Sequence, residues 1–171
     1  KAALLLNVEP GADSAVDGQA LAQAGMVVTL SPFKANLDIS DVLLPVAPFT
    51  ETSGTFVNAE GRVQSFHAVV KPLGETRPAW KVLRVLANLL ELPGFDYESS
   101  QDVLTAAIGA ETKEVPSALR SNITKVAAKV PENEAAEPVT ASIYQLDGIV
   151  RRATSLQLTA DARLAREGGA A

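Results

Sequence analysis

Every side chain that suggests a reaction or a bound anion falls within one run, Glu51-Thr52-Ser53-Gly54-Thr55-Phe56-Val57-Asn58-Ala59-Glu60-Gly61-Arg62. It follows the apolar stretch Asp41-Val42-Leu43-Leu44-Pro45, and open α/β sheets present their ligand loops at the carboxyl ends of strands. Two readings of its first part stand side by side. In one, Glu51, Thr52, Ser53 and Gly54 form a loop that once approached a ligand such as a phosphate, with Gly54 letting backbone N–H groups close in. In the other, they are a turn leaving a strand, and Gly54 merely supplies a positive φ. The second fits the chemistry better, because one carboxylate without a glycine-rich cradle or a lysine is poor phosphate chemistry. Arg62 could anchor an anion, but such an arginine more often ties a hairpin to its own carboxylate, here Glu51 or Glu60. Asn58 and Gly61 suit the first and last positions of a turn. Ser53 stands in no G-x-S-x-G elbow, and His67, beside Phe66, is read as structural or surface. No catalytic residue and no metal-ligating set is read from the chain.

The elements that must hold this run in place are legible around it. Ala2 to Val8, Met26 to Leu30 and Val42 to Val46 are apolar runs bounded by turn residues, and short helical segments are read between them, Gly18 to Ala24 and Asn36 to Ser40. Asp17 would cap the first of these helices and Gly25 would end it in a left-handed conformation. Strand, helix, strand, helix, strand predicts right-handed crossovers in a parallel sheet. The strand ahead of the candidate loop is read as covered on both faces. Thr55 to Val57 and Arg62 to Phe66 read as the arms of a hairpin, and Thr76 to Leu92 as a helix buried on most sides with Trp80 in the core. Ser99 with Asp102 makes a capping box opening a helix to Ile108.

The fold class expected is α/β: a partial doubly wound, Rossmann-like parallel sheet with flanking helices, a hairpin insertion, and an extended or helical C-terminal tail. Four segments are read: an α/β portion over 1–110, a helical extension over 111–130, an acidic linker over 131–142 and a docking segment over 143–171. The linker, Pro131-Glu132-Asn133-Glu134-Ala135-Ala136-Glu137-Pro138, is proline-bounded and aromatic-free. In the docking segment Leu146, Ile149, Val150, Ala153 and Leu156 keep an apolar period, and Arg163 to Ala171 reads as a frayed terminus. Arg151 and Arg152 suit either a neighbouring subunit or a solvated face.

Composition removes whole classes of function. The 171 residues include no cysteine and one histidine, which excludes thiolate chemistry, disulfides and cysteine-held clusters within this stretch. A formal charge of −5 argues against a nucleic-acid footprint. No apolar run approaches the ~20 residues that span a bilayer. The chain opens inside an apolar run without a methionine, and is read as a piece of a longer polypeptide whose remaining strands lie upstream.

With those residues in view, the block from Asp41 to Trp80 resembles the molybdopterin oxidoreductase superfamily. The superfamily pattern is a strand ending in Leu-Pro, then Glu-x-x-Gly-Thr-x-x-Asn-x-Glu-Gly-Arg, then Pro-x-Gly-Glu-x-x-x-x-Trp. Here it reads Asp41 to Pro45, then Glu51, Gly54, Thr55, Asn58, Glu60, Gly61 and Arg62, then Pro72, Gly74, Glu75 and Trp80. Within the superfamily the tail SIYQLDGIVRRATSLQLTADAR resembles the close of the large peripheral iron–sulfur subunit of bacterial NADH:quinone oxidoreductase, respiratory complex I.

That resemblance implies a non-catalytic portion with no cofactor of its own, in which Glu51, Thr52, Gly54, Asn58 and Arg62 are a vestigial loop. Iron–sulfur clusters would belong to the missing amino-terminal part of the parent. It implies other subunits of the peripheral arm as partners, with no nucleic acid and no membrane insertion. It also implies a place in the bacterial cytoplasm, at the inner membrane's cytoplasmic face. A missing upstream strand would leave a sheet edge through which the isolated chain self-associates. The alternative is the cofactor-cleft portion of a catalytic molybdopterin enzyme such as a formate dehydrogenase. A stand-alone nucleotide-binding module would need a glycine-rich fingerprint after the first strand, and Val8-Glu9-Pro10-Gly11-Ala12 does not supply one.

Overall fold

The computed structural model describes residues 1–14, 21, 23–109 and 142–168. The chain divides into two compact units, one formed by 1–44 with 130–171 and the other by 45–129. The predicted helix of 117–130 lies outside the described residues, as do most of the helix over 18–24 and nearly all of the acidic linker.

The first unit is built on β1 (Ala2–Leu6), β2 (Met26–Ser31) and β3 (Val42–Pro45), a parallel three-stranded sheet in the order β1-β2-β3. β1 and β2 run in register from Ala2 opposite Met26 to Leu6 opposite Leu30. The central position of β2 decides where the core sits: Val27, Thr29, Leu30 and Ser31 are all buried. Thr29 is tolerated there because its hydroxyl is hydrogen-bonded to that of Ser40 at 2.7 Å. Asp41 pins the start of β3, its carboxylate accepting from the Val27 N–H at 2.7 Å while its own N–H donates to the Val27 carbonyl. Asn36, in a left-handed conformation at φ 57°, opens the turn to Ser40 and donates from its amide to the Val8 carbonyl.

Two expectations about this unit are corrected. β3 is not covered on both faces, since Leu44 and Pro45 are exposed and the buried pair, Val46 and Ala47, comes after it. How many faces of a strand are covered depends on the layers packed on it, and here cover begins only past its end. Gly25 has no positive φ; its N–H instead donates to the Lys1 carbonyl.

The C-terminal segment of this unit folds as three short helices rather than one docking helix with a frayed end. Following α1 (Ala79–Leu89) and α2 (Ser100–Ile108) of the second unit in chain order, they are α3 (Gly148–Arg152), α4 (Thr154–Gln157) and α5 (Ala160–Gly168). The Asp147 carboxylate caps α3 by accepting from the N–H groups of Ile149 and Val150. Gln157, buried at 8% exposure, is the polar hub of the segment. Its amide donates to the carbonyls of Tyr144 and Val150 and accepts from Arg166 and Gln145, so no buried polar atom of the side chain is left alone.

The second unit holds the antiparallel hairpin β4 (Gly54–Val57) and β5 (Val63–Phe66), with α1 (Ala79–Leu89) and α2 (Ser100–Ile108). The hairpin turn forms as its residues predict: the Gly61 N–H donates to the Asn58 carbonyl, and Gly61 takes φ 83°. α1 is shorter and wetter than expected. Val85, Leu89 and Leu90 are exposed and only Ala87 is buried, so the helix is amphipathic rather than enclosed. It ends before Pro93, where Glu91 turns left-handed and the Leu92 N–H closes on the Ala87 carbonyl. α2 opens on the predicted capping box, the Asp102 N–H donating to Ser99 Oγ at 3.1 Å and the Ser99 N–H to the Asp102 carboxylate at 2.9 Å. Those bonds hold the Asp102 carboxyl below its ordinary value.

Candidate functional site

The loop that looked chemical in the sequence does border a hollow. In the second unit a cleft of about 770 Å³ is lined by Glu51, Thr52 and Gly54 from the motif and by Lys71, Arg77 and Lys81 from the segments after the hairpin. Asn58 and Arg62 are not among its lining residues; they belong to the hairpin turn. The five candidates therefore separate into three at a cleft and two at a loop tip.

Each of the three is engaged by the chain's own groups. Glu51 ends a 3-10 turn over Phe49–Glu51 and accepts the Leu73 N–H at 2.9 Å, fastening the strand-end loop to the segment after the hairpin. The Thr52 hydroxyl donates to the Ser53 carbonyl, and the Ser53 and Ser100 hydroxyls are hydrogen-bonded at 2.8 Å, joining the motif to the start of α2. Gly54 is the informative case. It is the first residue of β4, opposite Phe66, and its φ is not positive. A Cβ there would lie 2.8 Å from Cζ of the Phe66 ring. An aromatic ring rests on the glycine, in the manner of a cross-strand aromatic covering a strand glycine, and a side chain here would have to displace it. That ring stacks in turn on Phe56, with centroids 4.8 Å apart and planes 18° from parallel. The positive-φ turn read for Gly54 from the sequence is thereby corrected.

At the hairpin tip Asn58 Oδ1 accepts the N–H groups of Glu60 and Arg62, at 3.1 and 2.8 Å. Asn58 is thus a turn organiser. Arg62 is exposed, and its backbone N–H and carbonyl both pair with Asn58. Trp80 is only partly buried and lines the cleft instead of sitting in the core, while its indole nitrogen has no hydrogen-bond partner among the described residues. His67 is exposed at the same cleft.

The strongest electrostatic cluster lies in the other unit, where the sequence raised only an open question. The loop leaving β1 carries Glu9 and Asp13, and both are met by α3. Arg151 donates to both oxygens of Asp13 and lies 3.5 Å from Glu9, with its own side chain only 9% exposed. Its Nε donates to the Gln145 carbonyl at 2.6 Å. Arg152 grips Glu9 with both terminal nitrogens, at 2.8 and 3.2 Å, and its guanidinium lies 4.3 Å over the Phe33 ring. Both arginines are taken up by the chain's own carboxylates, an outcome distinct from the neighbouring subunit and the solvated face read from the sequence. The Arg151 hydrogen bond holds the Asp13 carboxyl below its ordinary value against the opposing effect of burial, and Asp13 raises Arg151 in return. The signal missed in the sequence was the complementary pair of doublets, Glu9 with Asp13 and Arg151 with Arg152.

Within the motif the Cβ face of Gly54 lies under the Phe66 ring and one oxygen of the Glu51 carboxylate accepts from Leu73. Among the described residues no three histidine or acidic side chains are grouped to hold a metal ion, and no helix is long and apolar enough to cross a membrane.

Comparison with known proteins follows the same stretch of chain. The family model described as molybdopterin oxidoreductase matches residues 1–89. A formate dehydrogenase-like protein of Staphylococcus aureus is 47% identical over 58 residues, 34% of this chain and 6% of that relative. The probable oxidoreductase YjgC of Bacillus subtilis is 40% identical over 70 residues, 41% of this chain and 7% of its own. The aligned stretch is thus a small fraction of either relative's length. These names point to formate dehydrogenase-like oxidoreductases, not specifically to the complex I component that the tail resembles. With over half of its length matched by the family model and its motif folded as one continuous loop and hairpin, this chain belongs to the molybdopterin oxidoreductase family.

Proposed function

We propose that this chain is a structural portion of a larger oxidoreductase of its family, with the electron-transfer chemistry carried by groups outside this stretch. One observation carries the reading. The family motif is spent on the chain's own architecture, with Gly54 lying under Phe66 where an approaching ligand would need open backbone. The local work is packing and docking. The tail's resemblance to the large iron–sulfur component of NADH:quinone oxidoreductase supplies one parent. In it the partners would be other subunits of the peripheral arm, the location the cytoplasmic face of the bacterial inner membrane, and the iron–sulfur clusters upstream. The outer edge of β1, with Leu4 and Leu6 exposed, would let the isolated chain self-associate.

A second reading is favoured by the comparisons more than that parent is: the chain forms one wall of the cofactor cleft in a catalytic, formate dehydrogenase-like enzyme. The relatives' names support it. So do Lys71 and Lys81, whose charge suits a phosphate-bearing cofactor; Glu51 and Glu98 line the same cleft, and Arg77 there is paired with Glu75.

The two readings part on the intact parent protein, purified from its natural source. Molybdenum and pterin near one equivalent, with formate-dependent dye reduction, would establish the catalytic reading and end the first. Iron without molybdenum, and NADH-dependent quinone reduction in the assembled complex, would establish the structural one.

A further inference from the structure

The loops leaving β1 and β2 stand at the carboxyl ends of their strands, the place where an open α/β sheet receives its ligand. In this chain the place is taken. Glu9 and Asp13 follow β1, Phe33 follows β2, and the tail's α3 lies against all three. The fit is close in shape as well as charge. A Cβ on Gly148, the first residue of α3, would come within 3.3 Å of both Glu9 Oε1 and the Phe33 ring. Two carboxylates and an aromatic face are the wrong lining for a phosphate and the right one for guanidinium groups, which pair bidentately with one and stack on the other.

We propose that Glu9, Asp13 and Phe33 form a recognition site for an arginine pair on a short helix, and that the chain's own C-terminal segment is its occupant. The site selects for two adjacent arginines. Arg151 spans both carboxylates, while Arg152 takes Glu9 in a fork and covers Phe33. A lysine in either place would lose the fork, and at Arg152 the stacked plane as well. The tail thus closes the strand ends of the first unit to anionic ligands and gives the C-terminal segment a fixed seat. This goes beyond the proposed function, and holds or fails whatever cofactor the parent protein carries.

The test uses the full chain and a fluorescent synthetic peptide of residues 142–168. Unmodified chain should bind little peptide, because its own tail fills the site. In the full chain carrying Arg151→Ala and Arg152→Ala the site is vacated, and the peptide should bind in trans. Binding should weaken by roughly tenfold or more when the peptide carries the same two substitutions. It should also weaken as salt rises from low ionic strength to about 0.5 M, where the Debye length shrinks to a few ångströms. Equal binding of the two peptides, or none to a variant whose circular dichroism matches the parent chain, would overturn the proposal. Should the double variant not fold, hydrogen exchange on the unmodified chain decides the matter. Amides of 149–153 should lose protection with added salt before those of β2, and salt-independent protection would refute the latch.

Discussion

The motif hairpin and the tail latch make an instructive pair. The motif loop and hairpin concentrate the residues that look reactive, yet their polar atoms are taken up inside the same unit, from neighbours a residue or two away to Leu73 and Ser100. Asn58 holds its own turn, Thr52 donates to Ser53, and Gly54 accommodates a ring across the strand pair. The latch joins two arginines whose partners the sequence left open to two carboxylates it did not single out, 138 to 143 positions away, and produces the two clearest charge pairings among the described residues. Residues within one motif can thus pair close at hand, while charges far apart in sequence carry the strongest electrostatic contact.

Substitutions put this contrast to the test. The largest effect is expected from Arg151→Ala, which strands Asp13 and frees the Gln145 carbonyl. Because Arg151 is almost fully covered while Asp13 keeps some solvent, a loss of about 3 kcal/mol is expected in urea unfolding. A loss below half of that would demote the latch to an ordinary surface pair. Next comes Gly54→Val, which drives a side chain into the Phe66 ring and should cost about 2 kcal/mol as overpacking. Pairing it with Phe66→Ala should recover part of the loss in a double-mutant cycle. Strict additivity would show that the ring is not the cause.

Acid should act on the tail through Asp13. Its folded carboxyl value is lowered, so the stabilisation is fully present above the unfolded value near 3.9 and is lost as pH falls through the folded one. Unfolding free energy should therefore decline below about pH 4, and Asp13→Asn should flatten that decline. An unchanged acid limb in the variant would remove Asp13 from the account. The smallest effect is expected from Arg62→Ala at the exposed hairpin tip, about 0.5 kcal/mol or less by thermal melting. A loss several times larger would return Arg62 to the candidates for function.

Most of the fold could be read from the chain because it is locally encoded. The apolar runs gave β1, β2 and β3 within a residue or two, and the Asn58–Gly61 turn and the Ser99–Asp102 capping box formed as their side chains required. Misreadings came where burial depends on distant neighbours. An apolar run such as Val42 to Pro45 does not reveal how many faces will be covered, and an apolar helix such as α1 does not reveal how much of it stays wet. For the site, the sequence placed the loop after a strand, but could not see that Phe66 would cover Gly54 or that the Leu73 N–H would donate to Glu51.

The family, the strand elements, the hairpin turn and the absence of cysteine chemistry were therefore settled by the chain alone, since motifs, apolar runs and composition need no neighbours to be read. Which polar groups remain open to a ligand, and which are consumed within the molecule, was settled only by folding. That outcome rests on pairings such as Arg151 with Asp13, whose partners meet only because the chain between them folds back. Charge complementarity over such a separation leaves no periodic trace in sequence, and so is decided by packing.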